Sequence, residues 1–517
     1  MRIILISLLL LLTLGFVSYE FGLFNSFIYR FESGNIEQQS KEPLSDSIPG
    51  ESDINKNTSN PGTDAVSGAT QDTGDKGNAP QNSNEPEQSE KPSEQSIVSI
   101  IQSTKASAKD LEDDDIRQMV RDAVNLAGGF SGIVKDGQTV VLKPNLVQKH
   151  SDFTGKLLDK QLNGITTDWR VTKAVVEMVR ELNPNGKVFV MEGSAGDKTA
   201  DTMQYLNYTP EFIPGVDEFI AIEEDSGGWQ EFNSPGLVKV SLPNGLLHKE
   251  YYLNKKYKEA DVLISIPCLK NNSGTVVTGG VKNVAIGATP ANVYGPAPGN
   301  LSRTKMVSHS FNKNDLQQWI YDYYLCKPVD FVVMDGLEGF QNGPAPSKKD
   351  SEVKDKMNMR LIIAGRDAVA VDTIECLVTG WDPQSATYLR YLSKGGVGNI
   401  DPAKITIVGN RVDEVRKDFQ TKIQHPAWTK ITDKKAPEFA IEKAAFSGSK
   451  LQMSLSVKDA VKAEVCIDDQ AFPQTFASDF GNIAVNASQI SSGKHKVKIS
   501  VYDRFLNCSV KEIDVTK

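Results

Sequence analysis

Histidine and cysteine are scarce in these 517 residues, five of each. The cysteines, Cys268, Cys326, Cys376, Cys466 and Cys508, include no Cys-x-x-Cys pair, which argues against a cysteine-held iron-sulfur cluster. No P-loop or dinucleotide fingerprint is present, so nucleotide binding has no support. A basic stripe is missing too. Lysines and arginines are interspersed with acids and the net charge is -9, which argues against nucleic acid as a partner. Aromatic residues are absent from residues 33–96, and that whole segment is Ser, Asn, Glu, Gln, Pro, Gly and Asp in the main.

Such a segment cannot bury enough apolar surface to offset its ordering entropy, so residues 33–96 are expected to be a disordered linker. Random-coil scaling gives it a span of roughly 45 Å. Before it, residues 3–17 are an almost unbroken Leu/Ile run behind Arg2, the charged start and apolar core of an export signal. There is no good small-residue cleavage site and no lipid-accepting cysteine, so residues 1–32 are favoured as an uncleaved signal anchor, a transmembrane helix, with a cleaved signal peptide left open. Either way the folded part is expected on the extracytoplasmic face of the cell membrane, or secreted if the signal is cleaved.

From residue 97 the pattern changes to strands alternating with amphipathic helices. Strands are expected at 97–101, 139–143, 188–191, 262–266, 331–334, 361–364 and 405–408, with helices at 116–127, 171–182, 315–325 and 368–378. Repeated strand, helix, strand units predict a layered α/β domain over residues 97–412 with a largely parallel sheet. After a linker at 413–436, residues 437–517 read as short, evenly spaced strands of a small all-β sandwich. Within that tail, Ser492 to Val497 leading to Val501, Tyr502, Asp503 and Asn507 resembles the last hairpin of bacterial immunoglobulin-like repeats. Cys466 and Cys508 fall in different strands there and are a candidate oxidised pair, with bridging distance left open.

The chemistry concentrates in residues 261–287. A buried strand, residues 262–266, ends abruptly in Lys270, Asn271, Asn272, Thr275, Thr278, Lys282 and Asn283 among glycines. The carboxyl end of such a strand is where an open α/β sheet puts its ligand crevice. Lysines with amides suit an anionic or strongly polar ligand, so Lys270, Asn272, Lys282 and Asn283 are candidate ligand contacts. Lys143 and Asn145 join them from another strand end, with Pro144 holding Lys143 extended. The plain alternatives are solvated surface lysines and a structural Lys/Asn pair. The loop Gly193 to Asp197 offers amides for an anion nest, although any tight βα turn looks similar. His309, Asp335 and Glu338 are the candidate catalytic groups for proton transfer or for a divalent metal, whose presence spacing alone leaves unknown. Asp367, at a helix start, is better read as a cap.

Taken together, Lys143-Pro144-Asn145, Thr166-Thr167-Asp168, Leu269-Lys270, Gly280-Val281-Lys282-Asn283, His309, Asp335 to Gly339 with Gly343-Pro344, and Asp367 to Asp372 resemble the family catalogued as domain of unknown function 362 (DUF 362). The resemblance implies no activity. Family members commonly carry threonine and histidine where this chain has Asn271 and Asn272, and an amide cannot shuttle a proton. Two functions follow as expectations: a membrane-tethered extracytoplasmic enzyme acting on a small anionic or polar substrate, or a non-catalytic cell-surface protein that binds a ligand or a surface polymer such as a polysaccharide.

Overall fold

A computed structural model of the chain describes residues 95–151, 155–302, 315–346, 351–423, 425–468, 470 and 472–517. The signal segment and nearly all of the linker lie outside the described residues, as does His309. No helix among the described residues is long and apolar enough to cross a membrane. The described residues belong to one compact unit.

Its strands are β1 (Ser96–Gln102), β2 (Thr139–Pro144), β3 (Lys187–Glu192), β4 (Glu218–Ala221), β5 (Leu237–Ser241), β6 (Glu250–Asn254), β7 (Val262–Ile266), β8 (Cys268–Asn272), β9 (Val276–Val277), β10 (Phe331–Phe340), β11 (Leu361–Gly365) and β12 (Ile405–Gly409). The helices used below are α1 (Asp113–Leu126), α2 (Trp169–Leu182), α3 (Thr199–Tyr205), α4 (Gly279–Gly287), α5 (Asp315–Cys326), α6 (Ala368–Val378) and α7 (Thr387–Lys394). Ten strands make one mixed sheet in the order β12-β1-β11-β10-β7-β2-β3-β4, with β8 beside β10 and β9 beside β8. Along that order every neighbouring pair is parallel except those of β11, which runs antiparallel to both β1 and β10. The sheet is therefore mixed where a largely parallel one was expected.

Side-chain alternation explains the layers. Val140, Leu142, Val262, Ile264 and Ile266 pack on one face with α1 and α2, whereas Val141, Leu263, Val332 and Met334 face α4, α5 and α6 on the other. From β2 the chain proceeds to β3 and β4 on one side, then returns through β7 and β10 on the other. The strand order thus reverses between β2 and β7, and at such a point the loops diverge and leave a crevice at the carboxyl edge. Lys143 closes β2 at that edge.

The C-terminal part is all-β. One antiparallel sheet holds β13 (Glu438–Ser447), β14 (Lys450–Lys458) and β17 (Ile483–Asn486); the other holds β15 (Lys462–Ile467), β16 (Gln474–Phe476), β18 (Lys494–Tyr502) and β19 (Cys508–Thr516). Leu451, Met453, Val465, Ile483, Val497 and Ile499 share a core between them. This part is fixed to the α/β part: Arg416 donates to Asn507 Oδ1 at 2.7 Å, and the hydroxyls of Thr406 and Thr475 bond at 3.0 Å. Cys466 and Cys508 are not bridged. Cys466 lies opposite Lys498, whereas Cys508 lies opposite Tyr502 one strand further on. Four residues of rise at about 3.4 Å each and two strand spacings of about 4.8 Å separate them. That is well beyond bridging distance.

Candidate functional site

Four side chains meet at the strand-order reversal. The Lys143 ammonium donates to Glu192 Oε1 at 2.7 Å and to Asn283 Oδ1 at 3.4 Å, and both ion-pair partners are buried. Asn283, on α4, donates to the Lys143 carbonyl at 2.8 Å and to Ser265 Oγ at 3.1 Å, which stitches α4 across β2 and β7. Asn145 donates to Asn283 Oδ1 at 3.2 Å and accepts from the Lys270 ammonium at 2.7 Å. Lys270 also reaches the Ile165 carbonyl. Lys143, Asn145, Lys270 and Asn283, read separately from the sequence, therefore form one network. Asn272 stands apart, its Oδ1 accepting from the Gly274 amide in a tight turn.

Glu192 was not a sequence candidate, yet it neutralises Lys143 and also accepts from the amides of Leu146 and Gly193. Its signal was its position at the carboxyl end of β3, equivalent to that of Lys143 in the neighbouring strand. The amides of Gly193, Ser194 and Ala195 are bonded to Glu192, to Thr199 Oγ1 and to the Val147 carbonyl. The loop is therefore closed on itself and is no open anion nest.

Glycine is required where α4 meets the network. Gly279 has φ +63° and a Cβ there would lie 2.2 Å from Asp372 Oδ2; a Cβ on Gly287 would lie 2.7 Å from the Lys143 ammonium nitrogen. Asp372, on α6, caps α4 rather than its own helix: its oxygens accept from the amides of Gly280 and Val281. Asp367 caps α6 through Val369 and Ala370. Val147 and Val276, both β-branched, are held at φ 59° and 70° beside this edge. Conformations of that kind cost about 1–3 kcal/mol and gather at working sites.

Lys282 has no hydrogen-bond or ion-pair partner among the described residues. It is half-buried on α4, one turn after Thr278. Burial, reinforced by the charge of Lys270, pushes its ammonium down to about 7. Burial likewise brings Lys270 to about 8. Among the described residues several buried polar atoms have no hydrogen-bond partner: Asn271 Oδ1, Thr278 Oγ1, Glu375 Oε2 and His150 Nε2. The other oxygen of Glu375 accepts from the Lys270 amide at 3.2 Å. Burial, together with Asp372, raises the Glu375 carboxyl well above its usual range. His150 is brought to about 3 by burial and by Lys270 and Lys422, so it is a neutral imidazole. Glu375 and His150 escaped sequence reasoning because one sits in an apolar helix and the other follows no recognisable block.

Asp335 and Glu338 do not join the lysines. Asp335 accepts from the amides of Asp168 and Leu337 at 2.8 and 3.0 Å, and its tie to the network runs through the Thr167-Asp168 segment to Asn145. Glu338 faces Lys356, Lys109 and Lys417 instead. Both carboxyls are raised by burial, Asp335 to about 7. No group of three His, Cys, Asp or Glu side chains among the described residues is arranged to hold a metal. The proton on folded Asp335 is released by the unfolded chain above its ordinary value of 3.8, so stability falls as pH rises from about 4 to 7. Asp335→Asn is expected to remove up to ~1.4 kcal/mol per pH unit from that slope, read by urea denaturation at pH 4, 5, 6 and 7. An unchanged slope would contradict the protonated state.

Comparison with known proteins gives partial matches. The thylakoid-associated protein sll1697 of Synechocystis sp. (strain ATCC 27184 / PCC 6803 / Kazusa) is 25% identical over 257 residues, which is 50% of this chain and 67% of that one. Among solved structures, the lactate racemase apoprotein from Thermoanaerobacterium thermosaccharolyticum aligns with a TM-score of 0.28 and 13% identity, over 53% of this chain and 54% of that one. The Clostridium perfringens spore cortex lytic enzyme SleM aligns with a TM-score of 0.16 and 8% identity, over 78% and 76%. Scores this low give neither structure a bearing on the site. The family DUF362, a domain of unknown function, matches residues 140–376, the stretch from β2 to α6 that carries the whole lysine network.

Proposed function

We propose that the α/β part binds a small ligand bearing a carboxylate or phosphate group at the carboxyl edge between β2 and β7. One observation carries this reading: among the described residues no carboxylate bonds the side chain of Lys270 or Lys282, Lys270 being held by an amide and a carbonyl oxygen. Buried positive charge is costly, and an anion relieves the cost at both groups together. Asn271 and Thr278 supply further polar atoms that a bound ligand satisfies. The positively charged, Leu-rich start of the chain supports tethering to a membrane with the folded part outside the cytoplasm. The printed name of the thylakoid-associated relative agrees with a membrane association. The two antiparallel sheets of the tail around one core are compatible with an immunoglobulin-like module.

A divalent metal has less behind it, since both oxygens of Asp335 accept backbone bonds and Glu338 faces lysines. His309 stays a candidate proton carrier. The alternative of a polysaccharide-binding surface is favoured by an open groove of about 500 Å³ lined by Phe232, Tyr252, His248 and Gln230, in which exposed Phe232 lies 5.0 Å from Tyr252.

The test is thermal denaturation of the full chain at pH 6.5 with oxalate, citrate and phosphate against uncharged oxamide. An anion at a hundred times its Kd stabilises by about 2.7 kcal/mol and oxamide does not. If oxamide stabilised equally, or no anion did, the reading would fall.

A further inference from the structure

We propose that the groove beside β6 is a second binding site, which takes a neutral β-1,4-linked sugar chain by stacking it on Phe232. The inference rests on the polysaccharide reading above and deepens it by naming the ligand and its contacts. It does not depend on the anion site, since neither Lys270 nor Lys282 lines the groove.

The groove is built rigidly on both sides. On one, the segment from Gly227 to Phe232 is bolted to the Asn292–Val293 turn that follows α4. Asn292 Nδ2 donates to the carbonyls of Gly227 and Gly228 at 2.9 and 3.2 Å. The Gln230 backbone amide donates to the Asn292 carbonyl at 3.0 Å, and Gln230 Nε2 to the Val293 carbonyl at 2.8 Å. Gln230 is held there at φ 54°, a conformation that is uncommon outside glycine and gathers at working sites. On the other side Asp322 of α5, fully buried, accepts from the backbone amides of Leu246, Leu247 and His248 at 2.6, 2.7 and 3.1 Å and from the Tyr251 hydroxyl at 2.7 Å. Those four bonds fix the turn that carries His248, whose ring packs against Tyr251 and Trp319. Side chains presented so firmly lose little freedom when a ligand arrives.

What these side chains leave unused matches a sugar. Phe232 is 42% exposed, and its ring lies 5.0 Å from that of Tyr252 at an angle of 56°. A β-linked pyranose has a face of C–H groups that packs on such a ring and a rim of hydroxyls that bond outwards. Because Gln230 uses its Nε2 on Val293, its Oε1 is the side-chain atom left for a ligand, and it needs a donor. His248 lines the groove, and its Nε2 has no hydrogen-bond partner among the described residues. A hydroxyl both donates and accepts, so it serves an imidazole in either tautomer. A proline-rich peptide, another occupant of aromatic-lined grooves, has no amide hydrogen at its prolines to offer Gln230. Charge is balanced at the rim: Lys249 donates to the Gly245 carbonyl at 2.7 Å, and Glu250 pairs with Lys239 at 2.7 Å. The groove thus offers an ion no unopposed charge. Its volume of about 500 Å³ is that of a small-ligand site and is more than one pyranose ring fills.

The experiment is isothermal titration of the full chain with cellohexaose, chitohexaose and xylohexaose, and with a decaproline peptide as the rival ligand. At least one hexaose is expected to bind, one per chain, with an affinity that sodium chloride at about 0.5 M leaves unchanged because the ligand is neutral. Phe232→Ala should weaken that binding roughly tenfold and leave the melting temperature unaltered, while Phe232→Tyr should keep the binding. If hexaose binding survived Phe232→Ala undiminished, the groove would be overturned and the polysaccharide reading would stand. If no hexaose bound, both would fall. Decaproline binding that Phe232→Ala removed, with no hexaose bound, would make the groove a peptide site and overturn the proposal.

Discussion

Replacing Lys282 with methionine is expected to weaken binding of a small anion by roughly 10- to 150-fold, the equivalent of a charge-assisted hydrogen bond of about 1.5–3 kcal/mol. The same change should leave the protein more stable, by about 0.5–2 kcal/mol, because an unpartnered half-buried charge is removed and an apolar stem of similar length stays. Opposite signs for binding and stability distinguish a site residue from a structural one. The stability gain has a pH window. Lys282 keeps its proton only up to about pH 7 in the folded chain but up to 10.5 in the unfolded one, so the unfolded state holds the extra proton between those values. Wild-type stability therefore rises with pH across that window, and the lead of Lys282→Met should be largest below pH 7 and vanish above 10.5. Urea denaturation at pH 6, 8 and 10 reads the lead directly. A variant less stable than wild type at pH 6 would mean that Lys282 has a partner.

Lys143 should behave in the reverse way. Lys143→Met leaves Glu192 as a fully buried carboxylate without its counter-ion, at a cost of about 3–5 kcal/mol. Glu192→Gln alone leaves the Lys143 ammonium unpaired and is also costly. The double variant should be less damaging than the sum of the two by about 1–3 kcal/mol, since neither charge remains. Full recovery is not expected, because Glu192 also accepts from the amides of Leu146 and Gly193. A cost for Lys143→Met below about 1 kcal/mol would mean that the pair is solvated.

The contrast between these lysines explains how much the sequence could reveal. Strand ends at Lys143 and Lys270 were legible because an apolar run that stops at a charged residue marks the edge of a buried strand. Their convergence was not legible, because it depends on β7 lying beside β2, a pairing between residues more than a hundred positions apart. The polarity of β11 was hidden for a related reason. Leu361 to Gly365 is buried on both faces, and a continuous apolar strand carries no mark of its direction. Among the carboxylates, Asp335 looked like a reactive group by its place at a strand end, yet both of its oxygens satisfy backbone amides. Glu375 was overlooked because it lies within Ala368–Val378, whose other residues make a plain core helix. The family resemblance rested on blocks that prove to be the contacts themselves: Asn145 with Lys270, Asn283 with Lys143, and Asp168 with Asp335.

The central claim is that a partly deprotonated Lys282 receives the anion. An anion bound there favours the charged form, so binding above pH 7 must take up a proton. Isothermal titration of oxalate into the full chain at pH 7.5, in two buffers of different ionisation enthalpy, measures that proton directly. The account predicts net uptake of a fraction of a proton per site in wild type, an affinity that falls as pH rises from 7 to 9, and a smaller uptake at pH 7.5 in Lys282→Met, where Lys270 alone is left to take up a proton. Binding with no proton uptake, or with equal affinity in wild type and Lys282→Met, would contradict it.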